Sequence, residues 1–192
     1  MKTIKFILVA LLAAPLFSSC SYNTMVEKRE SVDAQWAQVE NVYQRRADLI
    51  PNLVNTVKGY ASHEQETLQG VVEARSKATS INVNAENMTE ASMKQFQQAQ
   101  EGLSSALSRL MVVVEKYPDL KANQNFLDLQ SQLEGTENRI TVERMKFNET
   151  TRSYNTYIAK FPKNIIAGMF SFEKKPYFEA SVGASEAPKV EF

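Results

Sequence analysis

Apolar residues recur along most of this chain at the spacing of an α-helix. Between about residues 24 and 46 they follow each other at intervals of 7, 4, 3 and 4, which places them on one side of a helix. Over about residues 123–161 six of them recur at intervals of seven, and such a repeat predicts helices that pack at about 20° to one another. The positions are Met25, Val32, Trp36, Val39 and Tyr43 in the first stretch, and Phe126, Leu133, Ile140, Phe147, Tyr154 and Phe161 in the last.

Two prolines and an asparagine-rich stretch divide this pattern into four segments. Pro51 and Pro118 are the only prolines between residues 21 and 161, and a proline inside a helix removes a hydrogen bond. The third division is the stretch 80–87, which contains three Asn. Asp48 and Asn123 are expected to cap the second and fourth helices. The two middle helices, the third over about residues 88–117, then carry Ile50, Leu53, Val57, Tyr60, Leu68, Val71, Phe96, Leu103, Leu110 and Tyr117 at core positions.

Short loops between such helices predict an all-α fold, an antiparallel up-down-up-down four-helix bundle over residues 24–161. An alternative keeps the first helix continuous through Pro51 as a kinked rod. Residues 162–192 form an irregular C-terminal tail that is rich in Gly, Pro and Ser but also in apolar residues. We expect this tail to pack as a strap along the membrane-proximal end of the bundle. Insertion into the membrane surface is the alternative.

The N-terminus has the layout of a secretory signal. Lys2 and Lys5 precede an uncharged run from Phe6 to Phe17, which is shorter than the roughly 20 residues of a membrane-spanning helix. Two serines and Cys20 follow, an arrangement that resembles the lipobox of bacterial lipoproteins. The alternative is a free cysteine after an uncleaved anchor.

The lipobox interpretation predicts a signal peptide at 1–19 and a lipidated linker at 20–23, with acyl chains on Cys20. Several acyl chains anchor a protein firmly to a bilayer. The protein is then a membrane-anchored lipoprotein of the cell envelope that faces outside the cytoplasm. Ser21 is compatible with sorting to the outer membrane if the host has two membranes.

Composition argues against most catalytic and metal-dependent classes. The chain has one Cys and one His, so neither a disulfide framework nor a Cys/His zinc site is available. A di-iron bundle needs two Glu-x-x-His motifs, but Tyr60 stands three residues before the sole His63. With 22 basic and 22 acidic residues and no basic patch, nucleic acid is not an expected partner. We expect no catalytic site, no cofactor and no metal.

Four charged residues interrupt the apolar repeats. They are Glu64 and Arg75 in the second segment and Glu137 and Arg144 in the fourth. Helix pitch drifts about 20° per heptad, so these residues either rotate to the surface or form a paired polar layer in the middle of the bundle. Both interpretations give them a structural role.

Several motifs, in order, resemble the LemA family of bacterial membrane-anchored proteins. The resemblance runs from about Trp36 to Phe178 and implies an all-helical bundle outside the cytoplasm, with no known catalytic residues and no settled activity. Family members commonly carry an N-terminal transmembrane helix, in whose place this chain has the lipoprotein-like signal. The motifs are Tyr43–Val54 (YQRRADLIPNLV), Tyr117–Asn123 (YPDLKAN), Leu133–Ile140 (LEGTENRI), Phe147-Asn148, Tyr154-Asn155 and Phe161-Pro162.

Antiparallel helices anchored at Cys20 place the turns at 45–52 and 117–123 together at the end far from the membrane. These turns are either simply well capped or form a docking surface for a protein partner. The candidate docking residues are Arg45, Arg46, Asp48, Asn52, Tyr117, Asp119 and Lys121.

The leading hypothesis is therefore a lipid-anchored scaffold or adaptor that acts by binding. A ligand-binding or sensing bundle is the second, and a pocket between helices lined by the polar layer would favour it. An unrecognised enzyme is the third, and a deep cleft with converging carboxylates would revive it.

Overall fold

The computed structural model describes the backbone of residues 2–179 and the side chains of residues 21–179. The described residues form helices and no strands, so the all-α prediction is confirmed. The helices are α1 (Lys2–Tyr60), α2 (Gln65–Ser80), α3 (Glu90–Val114), α4 (Pro118–Lys121), α5 (Gln124–Ala159) and α6 (Lys163–Met169).

Helix α1 passes through Pro51 without a break, so the predicted helix boundary there is wrong and the continuous first helix is the arrangement that forms. Residue 51 has no N–H to donate to the carbonyl oxygen of Ala47, four residues earlier. Arg75 of α2 supplies the missing donor, because its Nε lies 2.7 Å from that oxygen. Asp48 therefore lies inside α1 and caps nothing, and the first corner of the fold is residues 61–64.

The buried positions follow the predicted repeats closely. Helix α5 packs along α1, and α2 packs between α1 and α3. Trp36 is fully buried against the rings of Phe96, Phe147 and Phe178, and its Nε1 donates to the carbonyl of Val83 at 3.0 Å. The predicted core positions are buried with three exceptions: Tyr117 is half-buried, and Tyr60, the last residue of α1, and Phe161, just beyond the end of α5, are exposed.

The helix ends at the second corner are set by local hydrogen bonds. Asn123 caps α5 as predicted, because its Oδ1 accepts from the N–H of Phe126 at 3.0 Å. Helix α3, expected over about 88–117, begins with a capping box between Thr89 and Ser92 and ends at Val114. The short helix α4 then forms the corner itself.

The C-terminal tail forms α6 and then an extended segment, residues 172–179, that packs against α5. This part of the tail therefore packs against the protein, and its position at a membrane-proximal end stays a prediction. The rest of the expected tail, with Val190 and Phe192, lies outside the described residues.

The N-terminal predictions fall mostly outside the described side chains. The signal peptide at 1–19 and lipidation of Cys20 concern side chains that the structure does not describe. The backbone of residues 20–23, expected to form a linker, belongs to α1. In the part of the chain that is described, no helix has both the length and the apolar character needed to cross a bilayer.

Candidate functional site

A groove runs between α3 and α5. Its lower section, toward the corner at 117–123, is an open depression of about 540 Å³. Apolar side chains form its floor and polar side chains its rim. The floor consists of Leu107, Met111 and Leu133, and the rim of Ser104, Ser108, Gln130, Glu134, Glu137 and Asn138.

The upper section of the groove is polar and measures about 430 Å³. Ser104 and Glu137 line both sections, so the two are continuous. The guanidinium groups of Arg46 and Arg144 and the amides of Gln97 and Gln100 line this upper section.

Arg46 is the central residue of the polar section. It is 1% exposed and donates through Nη1 to Glu137 Oε1 at 2.5 Å and to Ser104 Oγ at 2.9 Å. Its Nη2 donates to Gln100 Oε1 at 2.6 Å, and the Gln100 amide donates in turn to the carbonyl of Ala78 at 3.3 Å. This buried network therefore connects α1, α2, α3 and α5. Such a network adds little net stability but fixes the register of the helices that it joins.

The ring of Tyr43 lies beside this network, with its centroid 5.2 Å from the Arg46 guanidinium carbon. Burial raises the pKa of the Tyr43 phenol, while the positive charges of Arg144 and Arg46 act in the opposite direction. The phenol is therefore neutral at physiological pH and supplies a polarisable wall to the polar section.

The extended segment 172–179 occupies the continuation of the groove toward α6. Asn155 donates to the carbonyl of Lys175 at 2.8 Å and accepts from its N–H at 2.9 Å. Asn148 does the same with Phe178, at 3.0 and 2.8 Å. A side-chain amide that both donates to and accepts from one residue copies the pairing that a neighbouring β-strand would give.

The last described residue of the segment, Glu179, lies at the upper edge of the polar section. Gln97 and Arg144 both donate to the carbonyl of Glu179, at 3.2 and 2.9 Å, and both also line that section. The groove is thus built to hold extended backbone, and the described part of the tail fills only its α6 end.

The sequence model of the LemA family matches residues 35–192, about four fifths of this chain. The chain belongs to the LemA family. It is 28% identical to magnetosome protein MamQ 2 of Paramagnetospirillum magneticum, in an alignment that covers 82% of this chain and 64% of the relative. It is 23% identical to protein LemA of Metamycoplasma hominis, with coverage of 83% and 69%. The chain therefore spans less than two thirds of the length of the MamQ relative.

In this LemA-family chain, the four charged residues that were predicted to form a polar layer lie in three different places. Glu137 and Arg144 line the groove, and the partner of Glu137 is Arg46. Arg75 bonds to the backbone of α1, and Glu64 lies in the first corner, where it accepts from the Tyr117 hydroxyl at 3.2 Å. The four do not form a single layer.

The seven predicted docking residues are not brought together either. Tyr117, Asp119 and Lys121 lie at the corner, where the hydroxyl of Tyr60 accepts from Asn123 at 2.9 Å. Because α1 continues through Pro51, the remaining four lie along that helix. The one nearest the corner, Asn52, is eight residues and about 12 Å before the helix end, and Arg46 is buried. The predicted surface of Arg45, Arg46, Asp48, Asn52, Tyr117, Asp119 and Lys121 is therefore not formed.

Sequence reasoning missed the amides that line the groove and hold the tail. Asn148 and Asn155 are seven residues apart, and each follows an aromatic core residue in the motifs shared with the LemA family. That spacing was the available signal, since two amides seven residues apart lie on the same side of a packed helix. Among the side chains of residues 21–179, no three His, Cys, Asp or Glu are grouped to hold a metal ion.

Proposed function

We propose that this LemA-family protein is a lipid-anchored scaffold or adaptor of the cell envelope that acts by binding and not by catalysis. In this proposal α1, α2, α3 and α5 form a four-helix bundle attached to the membrane through Cys20. The bundle binds an extended segment of a partner protein in the groove between α3 and α5.

The groove is the observation that carries this proposal. Its α6 end already holds the extended segment 172–179, which paired amide hydrogen bonds attach at Lys175 and Phe178. The section beyond Glu179 continues the same channel between the same helices, with an apolar floor and a polar rim. An extended peptide that alternates apolar and polar side chains fits such a surface, because its apolar side chains face the floor.

Membrane attachment is supported by the order of features in the N-terminal sequence. The uncharged run Phe6–Phe17 is followed by two serines and then by the only cysteine of the chain, Cys20. Labelling of cells with radioactive palmitate tests this part. We expect the wild type to incorporate label and Cys20→Ala to incorporate none, whereas equal labelling of the two would reject lipidation at this residue.

A photo-crosslinking experiment tests the groove. A benzoylphenylalanine at Met111, on the groove floor, is compared in cells with one at Arg109, which is exposed on α3 but does not line the groove. We expect the Met111 probe alone to crosslink to another envelope protein, and fragment mass spectrometry to place the crosslink in one extended segment of it.

Groove-blocking variants complete this test. Asn138→Arg places a long side chain on the rim and is expected to remove the Met111 crosslink, whereas Asn125→Arg, outside the groove on the same helix, leaves it intact. Crosslinking of Met111 only to residues 180–192 of the same chain would reject the adaptor proposal. So would a Met111 crosslink that Asn138→Arg does not change.

The polar section of the groove supports a second candidate function, the sensing of a small polar ligand. The Nε of Arg46 is buried and has no hydrogen-bond partner among the described residues, and Arg144 lies in the same section. Two guanidinium groups suit a carboxylate or phosphate ligand. Thermal unfolding with small dicarboxylates distinguishes this function, because it predicts a concentration-dependent rise in Tm that Arg144→Gln removes.

A further inference from the structure

Exposed apolar side chains cluster around α6, at the C-terminal end of α5. Phe161 is 81% and Met169 73% exposed, the two highest values for large apolar residues among the described side chains. Ile165 and Phe170 are also exposed. Single exposed apolar residues are normal on a protein surface, but a cluster of them marks a site of interaction.

Helix α6 turns one face to the protein and leaves the other uncovered. Ala167 is buried and Ile166 half-buried against the core around Trp36. Ile165 and Met169, four residues apart, lie together on the opposite face. We call the uncovered surface of Phe161, Ile165, Met169 and Phe170 the α6 face.

The α6 face lies beside the N-terminal part of α1. The ring of Tyr22 on α1 is 4.9 Å from the ring of Phe170 and 5.7 Å from that of Phe172. Cys20, the proposed site of lipid attachment, precedes Tyr22 by two residues on the same helix. Two residues of helix correspond to about 3 Å, so the α6 face begins next to the proposed anchor.

Lysines border the α6 face. Lys160 and Lys174 flank the α6 face in the sequence and are exposed, and the Nζ of Lys163 lies 3.7 Å from the centroid of the Tyr157 ring. Lysines around exposed aromatic and aliphatic side chains are typical of segments that lie in a membrane interface, where the ammonium groups meet anionic headgroups.

We propose that the α6 face inserts into the surface of the lipid bilayer and forms a second membrane contact beside the N-terminal anchor. This inference rests on the proposed attachment through the N-terminus, which brings this end of the molecule to the lipid. Two contacts at one end fix the tilt of α1 and α5 relative to the bilayer.

Tryptophan quenching on the lipidated protein tests the proposal. The protein is reconstituted into vesicles of phosphatidylethanolamine and phosphatidylglycerol whose acyl chains are either plain or brominated. Met169→Trp carries the probe on the α6 face. Val112→Trp is the matched control, because Val112 is 67% exposed and lies near the opposite end of the molecule. The signal of the buried Trp36 is present in every variant and is subtracted with the wild type.

We expect brominated lipid to lower the Met169→Trp emission about twofold, as for a side chain at the boundary of headgroups and acyl chains, and to leave Val112→Trp unchanged. Flotation of the vesicles reports attachment separately. If the protein floats with the vesicles but Met169→Trp is not quenched, attachment stands and the α6 face proposal is rejected. If neither flotation nor quenching is seen, both proposals are rejected. An emission that responds to protein density but not to bromination assigns the face to a second copy and also rejects the lipid contact.

Discussion

The hydrogen bond from Arg75 to Ala47 gives a sharp prediction about why α1 is continuous. Ala47 is buried and its carbonyl cannot bond to Pro51, so Arg75→Met leaves this carbonyl without a donor. Loss of a charged donor to a buried acceptor costs about 1–3 kcal/mol of unfolding free energy. Methionine keeps most of the apolar stem of arginine, so the packing of α2 changes little.

Pro51→Ala provides the background in which this cost should disappear. An alanine at position 51 has an N–H that can bond to the Ala47 carbonyl within the helix, so Arg75 is no longer needed there. We expect Arg75→Met to cost about 2 kcal/mol with Pro51 and less than about 0.5 kcal/mol with Ala at that position. Pro51→Ala alone should stabilise the protein, because proline is unfavourable inside a helix.

The assay is urea unfolding of the full chain in detergent, followed by circular dichroism, for the wild type, both single variants and the double variant. Lys77→Met, at an exposed position on the same helix α2, controls for the loss of a positive charge. Equal costs of Arg75→Met in the two backgrounds would refute the reasoning, because additive effects show that residues 51 and 75 do not act on the same carbonyl.

Three further predictions concern the groove. Glu137→Gln leaves the buried Arg46 without a counter-charge and should lower the free energy of unfolding by about 2–3 kcal/mol. Arg46→Met leaves a half-exposed carboxylate that water can solvate, so it should lower the free energy of unfolding less. Urea midpoints in the reverse order would contradict this prediction. Because the pKa of Tyr43 is raised in the folded protein, its neutral phenol contributes fully to stability below the unfolded pKa of about 10, and this contribution is lost as pH rises through the folded value. Tyr43→Phe should therefore flatten the fall of the urea midpoint at alkaline pH. An unchanged slope of urea midpoint against pH would exclude this cause. Asn155→Ala removes two hydrogen bonds to the backbone of Lys175 and should speed hydrogen exchange and proteolysis in residues 172–179. Thr156 is the next residue and is exposed, so Thr156→Ala should change neither the exchange rate nor the proteolysis rate.

The buried positions could be predicted from the sequence because they depend on a local repeat. Along α5 the intervals of seven identify Phe126 to Tyr154 as core residues, and each of them is buried. The spacing of apolar residues does not show where a helix or its neighbours end. Phe161 continues the spacing but lies beyond the end of α5, where none of the described side chains covers it.

The continuity of α1 could not be predicted, because the group that permits it is distant in sequence. Proline 51 carries the signal of a helix end, and the donor that replaces its N–H is on a different helix, 24 positions later. That single error also misplaced Arg46, which was expected in an exposed turn and lies instead in the core network. The groove was missed for a similar reason, since its width depends on the distance between α3 and α5 and not on either helix alone.

A continuous α1 joins the two proposed activities mechanically. The residue at the α6 face, Tyr22, and the residue at the polar section of the groove, Arg46, lie on the same helix, 24 residues apart. At 1.5 Å per residue the groove is therefore held about 36 Å from the level of the α6 face. Between Lys28 and Arg46 this helix packs against α5 and therefore does not bend like a linker, so this height is fixed. A partner segment bound in the groove would then be held at a defined distance from the bilayer, which is what distinguishes a membrane-bound spacer from a flexible tether.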